Sequence, residues 1–330
     1  MATEIRTGAR IAFVLLVISI GNGAWWDAAA QNYPSKPMTL VVPFPPGAAT
    51  DVFARAAGRR MGEIMGSQVV ILNRDGASGA IGTDMVAKAA GDGYTLLWGS
   101  SGPLAISPVW TEKLPYDPVR DFAPVSLFAK IPYLLIVHPA VPAKNVKELL
   151  ALARAHPGKL NFASSGTGGT AHLAGELFKS MTGIDIVHVP YRGTSLFVTE
   201  LIGGQVDLAF AGPTSALPHL APGRIRALAT SGARRSDMFP DIPTMSEAGV
   251  PGYEFTQWYG LLVPAKTSRE IVNVLNTSLL KAMDDADVRK RIAGEAAAAA
   301  QGSPEEFAAY LKSELAKNAK MIKDAKLKRE

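Results

Sequence analysis

From about residue 37 onward the chain alternates short apolar runs with amphipathic stretches, the pattern of an α/β architecture. The run 38–43 (MTLVVP) reads as a buried strand, and a helix over 52–65 follows, with Ala54, Ala57, Met61 and Ile64 on one face. A strand at 69–72 (VVIL), a helix ending near Ala90, a Gly91-Asp92-Gly93 turn and a strand at 94–98 (YTLLW) complete the unit. The same order recurs as strand 159–163, helix 171–181, strand 184–189, helix 195–202, a Gly203-Gly204-Gln205 turn and strand 206–210. The plan repeats without an obvious repeat of sequence. Two extended stretches, 122–137 and 253–263, are placed to cross between two lobes, so that the chain visits the second lobe once and its C-terminal helices return to the first. The expected domains are therefore 31–131 together with 256–330, and 132–255. Thr267-x-x-Glu270 and Ser303-Pro304-x-Glu306 both read as capping boxes. The run from Ala296 to Ala300 suits either a helix or a short strand.

The N-terminus changes this picture only by subtraction. Arg6 and Arg10 precede an apolar core at 11–20 (IAFVLLVISI), and Ala28-Ala29-Ala30 offers a small-residue cleavage site before Gln31. This is the layout of a secretory signal peptide over 1–30. The apolar run is about half the roughly 20 residues that cross a bilayer, so cleavage and export are expected rather than an anchor. The sequence has no cysteine, which removes disulfides, thiolate catalysis, cysteine-ligated metals and lipid attachment at an N-terminal cysteine. The net charge of +5 comes largely from Lys312, Lys317, Lys320, Lys323, Lys326, Lys328 and Arg329. A lysine-rich last helix without interleaved aromatics reads as a solvated face, so no nucleic-acid partner is expected.

Three loops fall between the end of a strand and the start of a helix, where ligands collect in open α/β sheets. Helix starts leave N–H groups unpartnered and carry roughly half a positive charge, and glycine lets an anion approach them. The first loop spans 44–51, where Gly47 opens the backbone and Thr50 or Asp51 can cap the following helix. The second offers Gly76, Ala77, Ser78 and Gly79. The third is the richest, with Ser164, Ser165, Thr167 and Thr170 interleaved with Gly166, Gly168 and Gly169 ahead of His172. Gly168 is expected to serve ligand approach more than folding.

Competing chemistries find less support. Gly166-x-Gly168-x-x-Ala171 satisfies a relaxed dinucleotide fingerprint, yet the next strand ends His188-Val189-Pro190-Tyr191 where an acid is wanted. The five histidines show no helical i, i+4 pairing, so no metal is expected. Ser100-Ser101-Gly102 lacks the Gly-x-Ser-x-Gly of a nucleophile elbow. No cofactor is implied. Arg192 is either an anion partner or a solvated arginine. Asp207, inside an apolar strand, is either a paired structural acid or a polar group at the cleft. Trp258 and Tyr259 read as core or hinge packing.

These segments, in this order, resemble the Bug/TctC family of substrate receptors for tripartite tricarboxylate transporters. The resemblance rests on PFPPGAATDVFAR (43–55), NRDGASGAIGTDMVAKAAGDGYTLL (73–97), SSGTGGTAHLAGELF (164–178), HVPYRGTS (188–195), GGQVDLAF (203–210) and DIPTMSEAGVPGYE (241–254). It implies a two-lobed periplasmic-binding-protein fold of type II character, each lobe a mixed, mostly parallel sheet flanked by helices, with the ligand in the inter-lobe cleft. First-lobe contacts carry over to Phe44, Gly47, Ala48, Ala49, Thr50, Asp51, Ala77, Ser78 and Gly79. Second-lobe contacts carry over to Ser164, Gly166, Thr167, Gly168, Gly169, Thr170, His172, Tyr191, Arg192 and Asp207. The implied protein is a periplasmic, monomeric, non-catalytic receptor that delivers a small organic carboxylate (a di- or tricarboxylate, acidic amino acid or aromatic acid) to membrane transporter subunits. The alternatives are a sensor with the same ligand chemistry and an exported enzyme acting on a carboxylate. Ala48 and Asp75 replace the glycine and proline usual in the family; either these departures alter selectivity or Asp75 simply points to solvent.

Overall fold

The computed structural model describes residues 33–324 apart from Ala48, Glu112 and Arg192. The expected signal peptide and the binding roles expected of Ala48 and Arg192 therefore lie outside the described residues. In the first part of the chain, β1 (Met38–Val42) leads to α1 (Ala49–Met65) and β2 (Val69–Asn73). A short 3-10 turn (Ala77–Gly79) opens α2 (Ala80–Ala87), followed by β3 (Thr95–Ser100), a π turn (Gly102–Ile106), α3 (Ser107–Trp110) and β4 (Phe122–Pro132). The middle contains β5 (Leu134–Val137), α4 (Val146–Ala155), β6 (Asn161–Ser164), α5 (Thr170–Thr182), β7 (Val187–Pro190), α6 (Thr194–Ile202), β8 (Leu208–Ala211), α7 (Pro213–Leu220) and β9 (Arg226–Thr230). The chain ends with β10 (Thr256–Pro264), α8 (Arg269–Met283), α9 (Ala286–Gly294), β11 (Ala298–Ala299) and α10 (Pro304–Asp324).

Two mixed sheets result. One runs β11-β4-β10-β3-β1-β2, the other β7-β6-β8-β5-β9. In the first, β2, β1 and β3 are parallel and β10, β4 and β11 add antiparallel. In the second, β7, β6 and β8 are parallel, while β5 is antiparallel to β8 and β9. The central strand β1 is apolar and almost wholly buried, whereas edge strand β2 alternates in exposure. Burial on both faces favours continuous apolar runs, and an edge with one wet face favours alternation.

The extended stretch 122–137 is two strands, one in each sheet, separated at Tyr133. Pro132 has no N–H for a further ladder bond, and buried Ser231 captures the backbone of Tyr133 instead. Its Oγ accepts from Tyr133 N at 2.7 Å and donates to Phe255 O, while its N–H donates to Tyr133 O at 2.8 Å. Ser231 thus ties both crossings together.

Each lobe has an aromatic core. In the first, Phe128 packs against Phe53 and edge-on against Trp98, and Phe162, Phe178, Phe210 and Tyr253 fill the second. Ile106 and Trp110, with Met321 and Ile322 of α10, join the second core although their elements belong to the first lobe's run of chain. The lobes are therefore packed against each other as well as threaded together.

Local rules account for the helix ends. Ser303 and Glu306 form the reciprocal capping box (Ser303 N to Glu306 Oε2, 2.7 Å; Glu306 N to Ser303 Oγ, 3.2 Å). At the preceding box the cap is Ser268, which accepts from Ile271 N, and not Thr267. Helix α1 begins at Ala49, so Thr50 and Asp51 lie inside its first turn rather than capping it. Among the described residues, no helix is long and apolar enough to cross a membrane.

Candidate functional site

The loops that follow the parallel strands of both sheets meet at a cleft of about 840 Å3. The first lobe contributes Phe44, Ala77, Ser78 and Ile81, with Ser107, Trp110 and Lys113 from α3 and the segment after it. Loop 165–170 forms the opposite wall, and Tyr133, Gln257 and Tyr259 line the cleft from the crossings.

The helices divide by how they begin. Four are capped by side chains: α4 by Asn145, α8 by Ser268, α9 by Asp285 and α10 by Ser303. Helices α2, α5, α6 and α7 start at Gly79, Gly169, Gly193 and Gly212, and none of these starts has a side-chain cap. The first-turn N–H groups of α5 are consequently available to whatever occupies the cleft, whereas at α2 the Ala80 N–H is held by Ala77 O and the Ile81 N–H by Gly76 O. On the first-lobe side the approach is built from left-handed backbone: Ala77 (φ 47°), Ser78 (φ 54°) and Gly79 (φ 92°). A side-chain residue in this region costs on the order of 1–3 kcal/mol, and such strain clusters at ligand clamps. A Cβ on Gly79 would sit 3.2 Å from the Phe44 ring, so this glycine also permits close packing.

Beneath the opposite loop lies a neutral histidine pair. Ser164 Oγ is 2.7 Å from His188 Nε2 and also bonds both the N–H and the C=O of Gly166. The Gly168 N–H donates to His172 Nδ1 at 3.1 Å. The two imidazoles stack at 3.9 Å, with Phe162 against both. Burial, then His188 and Lys179, pulls the His172 pKa down to about 3; burial and Lys179 pull that of His188 down to about 4. His172 therefore serves as an uncharged support for the loop.

Of the residues the sequence singled out, Phe44, Ala77, Ser78, Gly166, Thr167, Gly168, Gly169 and Thr170 line the cleft. Gly47, Ala49, Thr50, Gly79, Ser164, His172 and Tyr191 are not part of that lining. The Asp51 carboxylate is occupied by Gly47 N (3.0 Å), Arg55 Nε (2.9 Å) and Asn73 Nδ2 (2.9 Å). Burial raises its pKa, but these bonds outweigh burial and hold it below the ordinary value. Asp207 precedes β8, at the end of the parallel strands away from the loops. Its carboxylate accepts from Asn161 N at 2.8 Å and its N–H donates to Asn161 Oδ1, so this acid is a paired structural one and not a group at the cleft. Asp75 is exposed and does not line the cleft. Gly168 is a packing position as well as an open one: a Cβ there would lie 2.6 Å from Trp110 Nε1.

Sequence reading missed Trp110, Lys113, Tyr133 and Gln257. Only Gln257 carried a signal, as a polar residue inside an apolar strand. Its Oε1 accepts from Ser101 Oγ at 2.9 Å and from Thr170 Oγ1 at 3.0 Å, one hydroxyl from each lobe. Burial, tempered by the Thr170 hydroxyl, pushes the Tyr133 pKa up to about 12, so this phenol is a neutral group beside the same junction. Trp258 is fully buried against Phe307 and Tyr310, as expected of core.

Two mixed sheets joined by two crossings, with helix starts converging on the cleft between them, define a two-lobed solute-binding protein of the periplasmic type. The chain belongs to the family described as tripartite tricarboxylate transporter family receptor, whose profile matches residues 53–327. It is 36% identical over 322 residues to protein BugT of Bordetella pertussis, covering 97% of this chain and 99% of that one. Among solved structures it resembles R. palustris Rpa4515 with adipate (37% identity, 90% of this chain and 100% of that one, TM-score 0.80). It also resembles MatC from Rhodopseudomonas palustris with bound malate (32% identity, 88% and 100%, TM-score 0.75).

Proposed function

We propose that this protein is an exported, periplasmic, non-catalytic receptor that captures a small organic carboxylate between its lobes and hands it to membrane transporter subunits. The observation that carries the reading is the uncapped, glycine-led start of α5 on one wall of the cleft, opposite the left-handed turn at Ala77 and Ser78 on the other. Lys113, on the exposed segment after α3, is the one cationic side chain lining that cleft among the described residues. A carboxylate would be held chiefly by N–H groups and hydroxyls already in place, which keeps affinity without a buried counter-ion that would need desolvation. The lobes are proposed as 31–131 with 256–330 and 132–255, moving about the crossings that Ser231 ties. The adipate and malate named with the two related structures support dicarboxylates as the first candidates.

The test is a thermal-shift screen of the mature chain against a carboxylate panel. A ligand at 100 times its Kd adds about 2.7 kcal/mol. A melt shifted by neutral sugars or cations but by no carboxylate would overturn the proposal. Turnover of a bound carboxylate by the purified protein would overturn its non-catalytic part.

A further inference from the structure

We infer that the side-chain amide of Gln257 is the ligand anchor that spans the two lobes, donating an N–H to the bound carboxylate while its oxygen holds Ser101 and Thr170. This rests on the carboxylate-receptor reading above and adds a residue and a role to it. Gln257 lies on β10, the strand by which the chain returns to the first sheet, and its half-buried side chain lines the cleft. Ser101 stands at the end of β3 in the first lobe, and Thr170 is the first residue of α5 in the second. Two hydroxyl donors converge on Oε1, at 2.9 and 3.0 Å. With Oε1 so engaged, Nε2 is the polar atom the amide has left, on a side chain that lines the cleft together with Tyr259.

An amide nitrogen has two N–H groups, and Tyr259 can engage at most one. The hydroxyl protons of Ser101 and Thr170 are already committed to Oε1. The donors left for an anion at this end of the cleft therefore include the uncapped N–H groups of α5, the amide of Gln257 and the unpartnered indole N–H of Trp110. Because one planar group touches both lobes and the ligand, occupancy of the cleft and the closed arrangement of the lobes become linked: the anion polarises the amide and strengthens the two bonds at its oxygen.

The discriminating variant is Gln257→Glu. It keeps acceptors for Ser101 and Thr170, so the cross-lobe bonds survive, but it replaces the donor with a negative charge. Titration calorimetry would compare it with the wild type on straight-chain dicarboxylates from succinate to suberate and on benzoate. The expected result is a loss of affinity of about 100-fold or more at pH 7 with the melting temperature preserved. The loss should shrink at least about tenfold towards pH 5, relative to the wild type at each pH, because a protonated glutamic acid regains a donor. Ser101→Ala, which loosens the tether and keeps the amide, should cost no more than about fivefold.

If Gln257→Glu binds like the wild type, or if its deficit does not change with pH, the anchor role is overturned. A Ser101→Ala loss as large as that of Gln257→Glu would make Gln257 a tether only, which also overturns it. If Gln257→Glu fails to fold, Gln257→Met is compared with the double variant Ser101→Ala, Thr170→Val, which breaks the tether and keeps the amide: the Met variant must lose at least about tenfold more affinity, and equal losses overturn the anchor role. A wild type that binds no carboxylate of the panel sinks the underlying receptor reading instead.

Discussion

The N–H of Gly168 and Nδ1 of His172 are joined across 3.1 Å, so the glycine-rich wall of the cleft rests on a histidine nitrogen that must stay unprotonated. Its neighbour His188 is stacked 3.9 Å away and is likewise held neutral, with pKa values of about 3 and about 4 against 6.5 for a free imidazole. Between those values and 6.5 the unfolded chain binds more protons than the folded one, so stability rises with pH through this window. The contribution is complete above pH 6.5 and is lost as pH falls towards the folded values. Each histidine gives a slope of at most about 1.4 kcal/mol per pH unit. Urea melts from pH 4 to pH 8 should show this acid-side loss, and His172→Asn should flatten it. Equal slopes in the two proteins would refute the account.

Gly168 combines φ +73° with a neighbour, Trp110 Nε1, only 2.6 Å from where a Cβ would sit. Gly166 also has a positive φ (+133°), but no atom closer than 3.9 Å to that position. Gly168→Ala should therefore destabilise by about 2 kcal/mol or more, through strain and displacement of the indole. Gly166→Ala should act through backbone strain alone, without displacing a neighbour. Chemical denaturation of both variants decides the matter, and a Gly168→Ala protein as stable as the wild type would contradict it.

Ser231 is fully buried and serves Tyr133 and Phe255 at the two crossings. In Ser231→Ala the Tyr133 N–H loses its acceptor, at a cost of about 1–3 kcal/mol. Faster hydrogen exchange at the Tyr133 amide is expected along with the lower melting temperature. Unchanged exchange there would mean the crossings do not depend on this serine.

Lys113 is exposed on the cleft margin, and Asp84, the one acidic side chain of the lining among the described residues, is paired with Lys88 at 2.6 Å. A second ligand carboxylate would meet Lys113 in a solvated setting worth about 1 kcal/mol or less. Lys113→Glu should accordingly weaken dicarboxylates by roughly fivefold at low salt, with monocarboxylates less affected and the difference fading at high salt. Equal effects on both ligand classes would exclude this contact.

The alternation of apolar runs and amphipathic helices, the glycine-led loops and the Ser303–Glu306 box were all legible because each depends on residues close together in the chain. Strand periodicity, φ preference and capping are local, and the third loop was found from Gly166, Gly168 and Gly169 for that reason. The same locality misled at Asp51, His172 and Asp207. A polar residue near a glycine loop or inside an apolar strand looks the same whether it faces a ligand or a buried partner.

Only the tertiary structure distinguishes those cases. It turns Asp207 towards Asn161, sets His172 beneath the loop, and brings Trp110 against Gly168. The sequence by itself determined that the chain would build helix starts fit for an anion. Which residues reach that anion was decided by packing, since the junction of Ser101, Thr170 and Gln257 joins positions more than sixty residues apart. Contacts over such separations depend on how two sheets and two crossings come to rest, and no periodicity in the chain encodes them.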